Sequence, residues 1–463
     1  MSRLARGTNL NPKLAIVLAS ITFATGILTA ACQNTNNNNP GTVNPTANPN
    51  NTGAANPNTN GQGLKIGSLL PSTGDLSSIG QPMLQAIPLV VEKVNQCGGV
   101  NGQPVTLIYE DDQTDPKAGA AAMTKLTEVD KVAGVVGSFA SSVSSAAVDI
   151  AARNKVVLIS PGSTSPVFTE RAKKGDFQGY WARTAPSDVY QAPALAKLAF
   201  DKGFKRVSTI VINNDYGVGF EKEFVKAFKQ LGGTVINEDK PVRYDPKGTT
   251  FNSEAAAAFA GKPDAVAAIL YGDETGSLVL KSAYEQGLSK GITVMLTDGA
   301  YSPQFPAQVG KNSEGKYILA NAIGTVPGAN GNALKELAAL WKEKKGREVD
   351  AFVPHSWDAA ALLMLAAQAA KTNTGEGIQS KLREVANGPG EEVSDVCQAL
   401  DLLRQGKDIN YQGASGNVDI DGYGDVVGAY DIWAVKDDGK LVVTGTVSPT
   451  TTATNPVTPT SNN

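Results

Sequence analysis

Histidine is almost absent from the 463-residue chain, His355 being the only one, and cysteine occurs three times, at Cys32, Cys97 and Cys397. With no close-spaced Cys or His pair, a zinc, copper or iron–sulfur site lacks its soft donors, and no metal is expected. Neither sign of charge dominates. Lys and Arg number 41 against 44 Asp and Glu, a formal net charge of -3 with no long basic run beyond the first few residues, so nucleic acid is excluded as an expected partner. A Ser-His-Asp hydrolase would have to rest on His355 alone, without a Gly-x-Ser-x-Gly elbow, and no enzymatic activity and no cofactor are expected. Asp419, Asp421, Gly422 and Asp425 faintly suggest a calcium loop, but the downstream glutamate of an EF-hand is missing and a β-turn is the better reading.

What is present begins with an address. Arg3, Arg6 and Lys13 precede an apolar stretch from Leu14 to Leu28, and Thr29, Ala30 and Ala31 then lead to Cys32. A positive region, an apolar core and small residues before a cut describe a signal peptide over residues 1–31, because an apolar stretch of about 15 residues falls short of the roughly 20 that span a bilayer. Leu28-Thr29-Ala30-Ala31-Cys32 resembles a bacterial lipobox, although Thr29 stands where a leucine-like residue is commoner. That resemblance implies lipid on Cys32 and a location outside the cytoplasm; ordinary secretion with an incidental cysteine is the alternative. Residues 32–63, almost wholly Asn, Thr, Pro, Gly and Ala, offer too little apolar surface to offset ordering entropy and read as a flexible tether. Residues 447–463 repeat that composition and read as a second disordered segment.

Between them, with 41% of the whole chain hydrophobic, a sizeable core can form. Apolar β-branched runs alternate with segments of helical period: Leu64–Leu70, a helix about Met83–Asn95, Val105–Glu110, a helix about Pro116–Glu128, Val132–Phe139 and Val156–Pro161. A second series runs through a helix near Tyr190–Lys202, Val207–Ile212, Phe220–Leu231, Ala265–Tyr271, Leu278–Gly287 and Val294–Thr297. The pattern predicts an α/β protein of two doubly wound units, each a mostly parallel sheet covered by helices, with Arg183-Thr184-Ala185-Pro186 as a crossing between them. Beyond Asn321 come three helical segments, about Ala333–Lys345, Trp357–Ala370 and Ser394–Gln405, with no strand between them, then short strands near Val418–Ile420 and Val427–Val435.

Ligands of open α/β sheets bind beyond the carboxyl ends of the strands, where helix N-termini gather. Three such places carry polar groups. Ala140-Ser141-Ser142-Val143-Ser144-Ser145 follows one strand, before a helix expected from near Ala146; Ser160-Pro161-Gly162-Ser163-Thr164-Ser165-Pro166 follows another; and Asp298-Gly299 places an acid at a third. Two anion-binding loops and one anion suit a zwitterion. Taken singly, each also reads as a helix cap or a turn.

The order Pro71-Ser72-Thr73-Gly74, Asn95-Gln96-Cys97-Gly98-Gly99-Val100-Asn101-Gly102, Asp111-Asp112 with Asp115-Pro116, Gly137 with Ser141, Ile159-Ser160-Pro161 with Thr164, Asp215-Tyr216-Gly217 and Asp298-Gly299 resembles the periplasmic binding proteins of branched-chain and neutral amino acid ABC importers, over about Leu64 to Val435. The resemblance implies a type I periplasmic-binding fold of two lobes with three hinge crossings: lobe 1 over 64–184 and 323–415, lobe 2 over 185–322 and 416–446. It implies that Ser141 and Thr164 hold a ligand carboxylate, that the Gly162 carbonyl and Asp298 receive its ammonium, and that Tyr216 closes over it. Glu274 falls where aliphatic-specific relatives have an aromatic, and Ile79 lies on the loop after the first strand where an aromatic wall is common, so a broad range of neutral, polar or hydrophobic side chains is expected. Cys97 and Cys397 then share lobe 1 in an oxidising compartment, where a disulfide or two buried thiols are the alternatives. A monomer delivering a free amino acid to an ABC permease by hinge closure is the implied function. A sensor with a signalling partner, or a receptor for short amides, urea or small peptides, is the alternative, and a purely structural lipoprotein would bind nothing and not close.

Overall fold

A computed structural model of the protein describes residues 63–448; the expected signal peptide, Cys32, the segment 33–62 and the tail from 449 lie outside them. The first sheet contains β1 (Lys65–Leu70), β2 (Thr106–Asp111), β3 (Gly134–Gly137), β4 (Val157–Ser160) and β5 (Trp181–Arg183), all parallel, in the order β2-β1-β3-β4-β5. Its central strands β3 and β4 are buried along their whole length, as apolar runs between two helical layers must be. Those layers include helices Ser77–Gln96, Pro116–Thr124 and Ser141–Arg153. The second starts with its proline in the first turn, and the Asp115 carboxylate accepts from the amides of Lys117 and Ala118.

The second sheet is built on β6 (Arg206–Ile212), β7 (Thr234–Val235), β8 (Val242–Tyr244), β9 (Ala265–Ile269), β10 (Thr293–Leu296) and β11 (Ile323–Pro327). After a two-stranded pair in the first lobe, β12 (Glu391–Val393) with β13 (Ile409–Tyr411), the chain returns and adds β14 (Tyr430–Val435) and β15 (Leu441–Val447) antiparallel beside β11. The resulting order is β15-β14-β11-β10-β9-β6-β7, with β8 also on β6. In each sheet the strand order reverses beside the first strand, between β1 and β3 and between β6 and β9, which opens a crevice at those carboxyl ends.

The chain changes sheet three times: after β5, after β11, and between β13 and β14. The second change comes later than the boundary expected at 322/323, because Ile323–Pro327 pairs with both β10 and β14 and so belongs to the second lobe. The late helices pack as the resemblance implied. Helix Val353–Ala370, buried on nearly every face, lies against Ser77–Gln96 and behind β3 and β4. Helix Gly375–Ala386, capped by Thr374, was not legible in the sequence. Val418–Ile420 is not a strand: the Ile420 backbone exchanges both its hydrogen bonds with the Asn387 side chain (2.8 and 2.9 Å) instead of with a neighbouring strand. A disulfide joins Cys97 to Cys397 (Cα–Cα 5.8 Å), tying the end of helix Ser77–Gln96 to helix Val396–Arg404. Among the described residues no helix is long and apolar enough to cross a membrane.

Candidate ligand cleft between the lobes

The loops on the first-lobe side of the cleft are set by buried serines, with the buried Asp112 carboxylate accepting from Ser138 Oγ behind them. The Ser138 carbonyl, just after β3, accepts from the hydroxyls of Ser160 (2.5 Å), Ser163 (3.1 Å) and Ser144 (3.1 Å), while Ser160 Oγ accepts from the amides of Gly162 (3.2 Å) and Ser163 (2.8 Å). The loops after β3 and β4 are thereby knitted into one piece. Helix Ser141–Arg153 begins at Ser141 itself, earlier than the expected start near Ala146, because Ala140 turns in extended backbone (φ -72°, ψ 131°) and its carbonyl already accepts from Val143 and Ser144. Ser141 is therefore the first helical residue and not a cap. First-turn amides have no carbonyl behind them, and the helix dipole adds partial positive charge there, which is the chemistry of a carboxylate site. Ser141 Oγ accepts from the Ser165 amide (3.3 Å), so the two loops also meet at the cleft. Gly162 is held against Phe139 so closely that a Cβ would collide with the ring.

The opposite side is acidic. Asp298 opens a short turn after β10, is 2% exposed, and its Oδ1 accepts from Gln191 Nε2 (2.9 Å) and the Tyr216 hydroxyl (2.8 Å). Tyr216, in the first turn of helix Asp215–Gln230, stacks on Tyr271 (centroids 5.8 Å apart), and its oxygen also accepts from the Gly299 amide (3.3 Å). Asp188, at the start of helix Asp188–Asp201, is fully buried; its Oδ2 accepts from the Thr164 hydroxyl (3.0 Å), and its Oδ1 and Gln191 Oε1 have no hydrogen-bond partner among the described residues. Burial raises Asp298 to about 6, and burial together with the nearby Asp298 charge holds Asp188 well above the ordinary carboxylate range. Neither acid is in an ion pair among the described residues. Hydrogen bonds thus lead from Ser141 to Ser165 and from Thr164 to Asp188, and, one turn along the same helix, from Gln191 to Asp298 and on to Tyr216.

The structure brings Ser141, Gly162, Thr164, Tyr216 and Asp298 to this one cleft. It does not bring Glu274 or Ile79 there. Glu274 is exposed in the first turn of helix Glu274–Glu285, whose buried neighbour Asp273 caps it through the Gly276 amide (2.7 Å). Ile79 lies in the first turn of helix Ser77–Gln96 instead of a loop, 6% exposed and packed into the core. Asp188 and Gln191 are not among the residues expected from sequence: the helix expected from Tyr190 starts at Asp188, and Gln191 within it is an ordinary helical residue until it is buried. An acid and an amide three apart, directly after a crossing, were the available signal. His355 is buried, its Nδ1 without a partner, and burial lowers it to about 3, so it is a neutral ring packed against Phe352.

The two sides face each other closed. Asp215, in the second lobe, accepts from Ser145 Oγ through its carboxylate (2.6 Å) and from Ser165 Oγ through its carbonyl (2.8 Å), both in the first. Further out, Lys222 meets Glu170 (3.5 Å) and Lys247 approaches Asp115 (3.8 Å) across the same gap.

This architecture is shared by known proteins. The chain is 28% identical over 387 residues to the chemotactic signal transduction system substrate-binding protein BasB of Halobacterium salinarum, covering 82% of this chain and 88% of that protein. It is 28% identical over 335 residues to Leu/Ile/Val-binding protein homolog 2 of Brucella abortus, covering 71% and 84%. The crystal structure of the leucine binding protein LivK from Thermotoga maritima superposes with a TM-score of 0.69 at 26% identity, over 83% of this chain and 99% of that one, and has the type I periplasmic-binding fold. Residues 82–438 match the sequence profile described as "Receptor family ligand binding region", and the chain belongs to that family.

Proposed function

We propose that the protein is an extracytoplasmic receptor that closes two lobes over a free amino acid and delivers it to an ABC-type permease. The carboxylate would lie on the first turn of the helix at Ser141 and on Thr164; the ammonium would lie between the Gly162 carbonyl and the acids Asp298 and Asp188. One observation carries this reading: two buried acids, Asp188 and Asp298, in no ion pair among the described residues, lie on the second-lobe side of a closed junction whose first-lobe side holds the N-terminus of helix Ser141–Arg153, a place suited to an anion. Burial disfavours the ionised form of both acids, and an α-ammonium would restore it, with a carboxylate one carbon away to meet the other wall. Lipid on Cys32 would hold the protein at the membrane as a monomer, and it binds without chemical turnover. The Leu/Ile/Val-binding protein homologue it is similar to supports hydrophobic side chains.

A second reading has its own support. BasB is named for a chemotactic signalling system and matches 82% of this chain, so the same grip could report to a signalling partner. Loss of amino acid uptake on deletion of the gene supports delivery; loss of a tactic response with uptake intact supports sensing. Binding itself is tested by native mass spectrometry and calorimetry of the purified protein with each of the twenty common amino acids, and with analogues of any that bind lacking the ammonium or the carboxylate. At least one amino acid should bind and both truncated analogues fail. Binding of urea, a short amide or a dipeptide with no amino acid bound would overturn the amino acid reading.

A further inference from the structure

Arg183 ends β5, the last residue of the first sheet before the chain crosses, and its side chain is fully buried. Its donors are divided among three parts of the molecule. Nε donates to Asp425 Oδ1 (2.8 Å), Nη1 donates to the carbonyls of Ser163 and Ser165 (3.0 Å each), and Nη2 donates to the Thr169 hydroxyl (2.9 Å). The Thr169 hydroxyl in turn donates to Asp425 Oδ2 (2.6 Å), and the Arg183 amide donates to the Gly424 carbonyl (2.9 Å). Asp425 belongs to the third crossing. It follows a turn in which the Asp421 carboxylate accepts from the amides of Tyr423 (2.7 Å) and Asp425 (2.9 Å), which is what the faintly calcium-like acids are for.

Ser163 and Ser165 flank Thr164. A trans peptide points its N–H opposite to its C=O, so a guanidinium that pulls the Ser163 carbonyl one way turns the Thr164 N–H the other. A charged donor in a dry site holds that orientation more firmly than a neutral one, and only the planar fork of arginine reaches two carbonyls, a carboxylate and a hydroxyl together. We infer that Arg183, fixed by Asp425, is a positioning residue for the ligand loop and ties the peptide geometry of Thr164 to the third crossing. For Thr164 as a ligand group this rests on the function proposed above; the ordering of the loop does not.

The test uses the full chain purified in detergent, as wild type, Arg183→Lys and Asp425→Asn, the latter keeping size and acceptor while removing charge. Hydrogen exchange read over residues 162–165 should accelerate at least tenfold in both variants, with protection of β1 and β3 unchanged. Calorimetry with each of the twenty common amino acids should show a ten- to hundredfold weaker Kd for those the wild type binds, most of it in the dissociation rate. Unchanged exchange in the loop, or acceleration spread evenly through the first lobe, would mean Arg183 is a structural bolt and not a positioning residue. A loosened loop with unaltered Kd would overturn the inference equally. If the wild type binds none of the twenty, the proposed function falls while the exchange experiment still decides this point.

Discussion

The two walls of the cleft solve the same problem with opposite means. On the proposed reading the first-lobe wall would meet the carboxylate with neutral dipoles, held by a buried mesh of serine hydroxyls and backbone around Ser138 and, from behind, by Arg183. On the same reading the facing wall would meet the ammonium with two acids, Asp188 and Asp298, whose burial makes ionisation costly and raises their pKa values. Dipoles fixed in advance do not titrate, whereas buried carboxylates do. Affinity should therefore depend on geometry at one wall and on charge and pH at the other.

The contrast is broken most sharply by Asp298→Asn. The amide still accepts from Tyr216 and Gln191, so the fold stands, but the ammonium loses its charged partner. A loss of about 2–5 kcal/mol is expected, on the order of thirtyfold to several thousandfold in Kd, and calorimetry with near-wild-type affinity would remove Asp298 from the ammonium site. Gly162→Ala attacks the other wall through shape alone. Its Cβ would collide with the Phe139 ring, and moving the loop away should cost about 1–3 kcal/mol of binding, with no change in pH dependence.

The pH profile sharpens the comparison without a mutation. A bound cation favours the ionised carboxylates, so Kd should rise as pH falls through about 6, where protons compete at Asp298, and the raised Asp188 should extend that dependence to higher pH. For stability without ligand the sign reverses. The folded pKa of Asp298 lies above the ordinary value, so its contribution is fully present below about pH 4 and is lost as pH rises through about 6. Melting curves without and with a bound amino acid across pH 4–8 should therefore diverge, and parallel curves would show that the acids do not face the ligand. Ser141→Ala is expected to cost less, about 1 kcal/mol, because the first-turn amides remain, and its pH profile should match wild type.

How much of this was written in the sequence follows from the range of each interaction. Strand and helix periods are local, so the central strands of both sheets and the loops at their carboxyl ends that carry Ser141, Gly162, Thr164 and Asp298 could be read directly. Elements stabilised by distant partners could not. Ile323–Pro327 is a strand because β10 and β14 flank it, and Arg183 looked like a residue of an aperiodic crossing because its partner Asp425 is 242 positions away. Asp188 was hidden for a related reason. An acid in the first turn of a helix is usually a solvated dipole partner, and only the packing of Thr164 and Gln191 around it turns it into a buried charge.

Glu274→Gln is the smallest change and tests which acid of the second lobe the cleft can feel. From the sequence, a carboxylate at that position was expected to make the side-chain pocket polar. In the structure the Glu274 side chain is exposed at a helix start, where water screens it, while Asp273 beside it is buried, capped onto Gly276, and raised to about 6 by burial. The substitution should alter neither Kd nor the order of preference among amino acids, with any effect within about 0.5 kcal/mol. A changed preference measured over the twenty amino acids would mean that the mouth of the second lobe, and not only its buried acids, selects the ligand, and the charge-against-dipole division of the cleft would then describe the grip on the backbone of the amino acid but not the choice of its side chain.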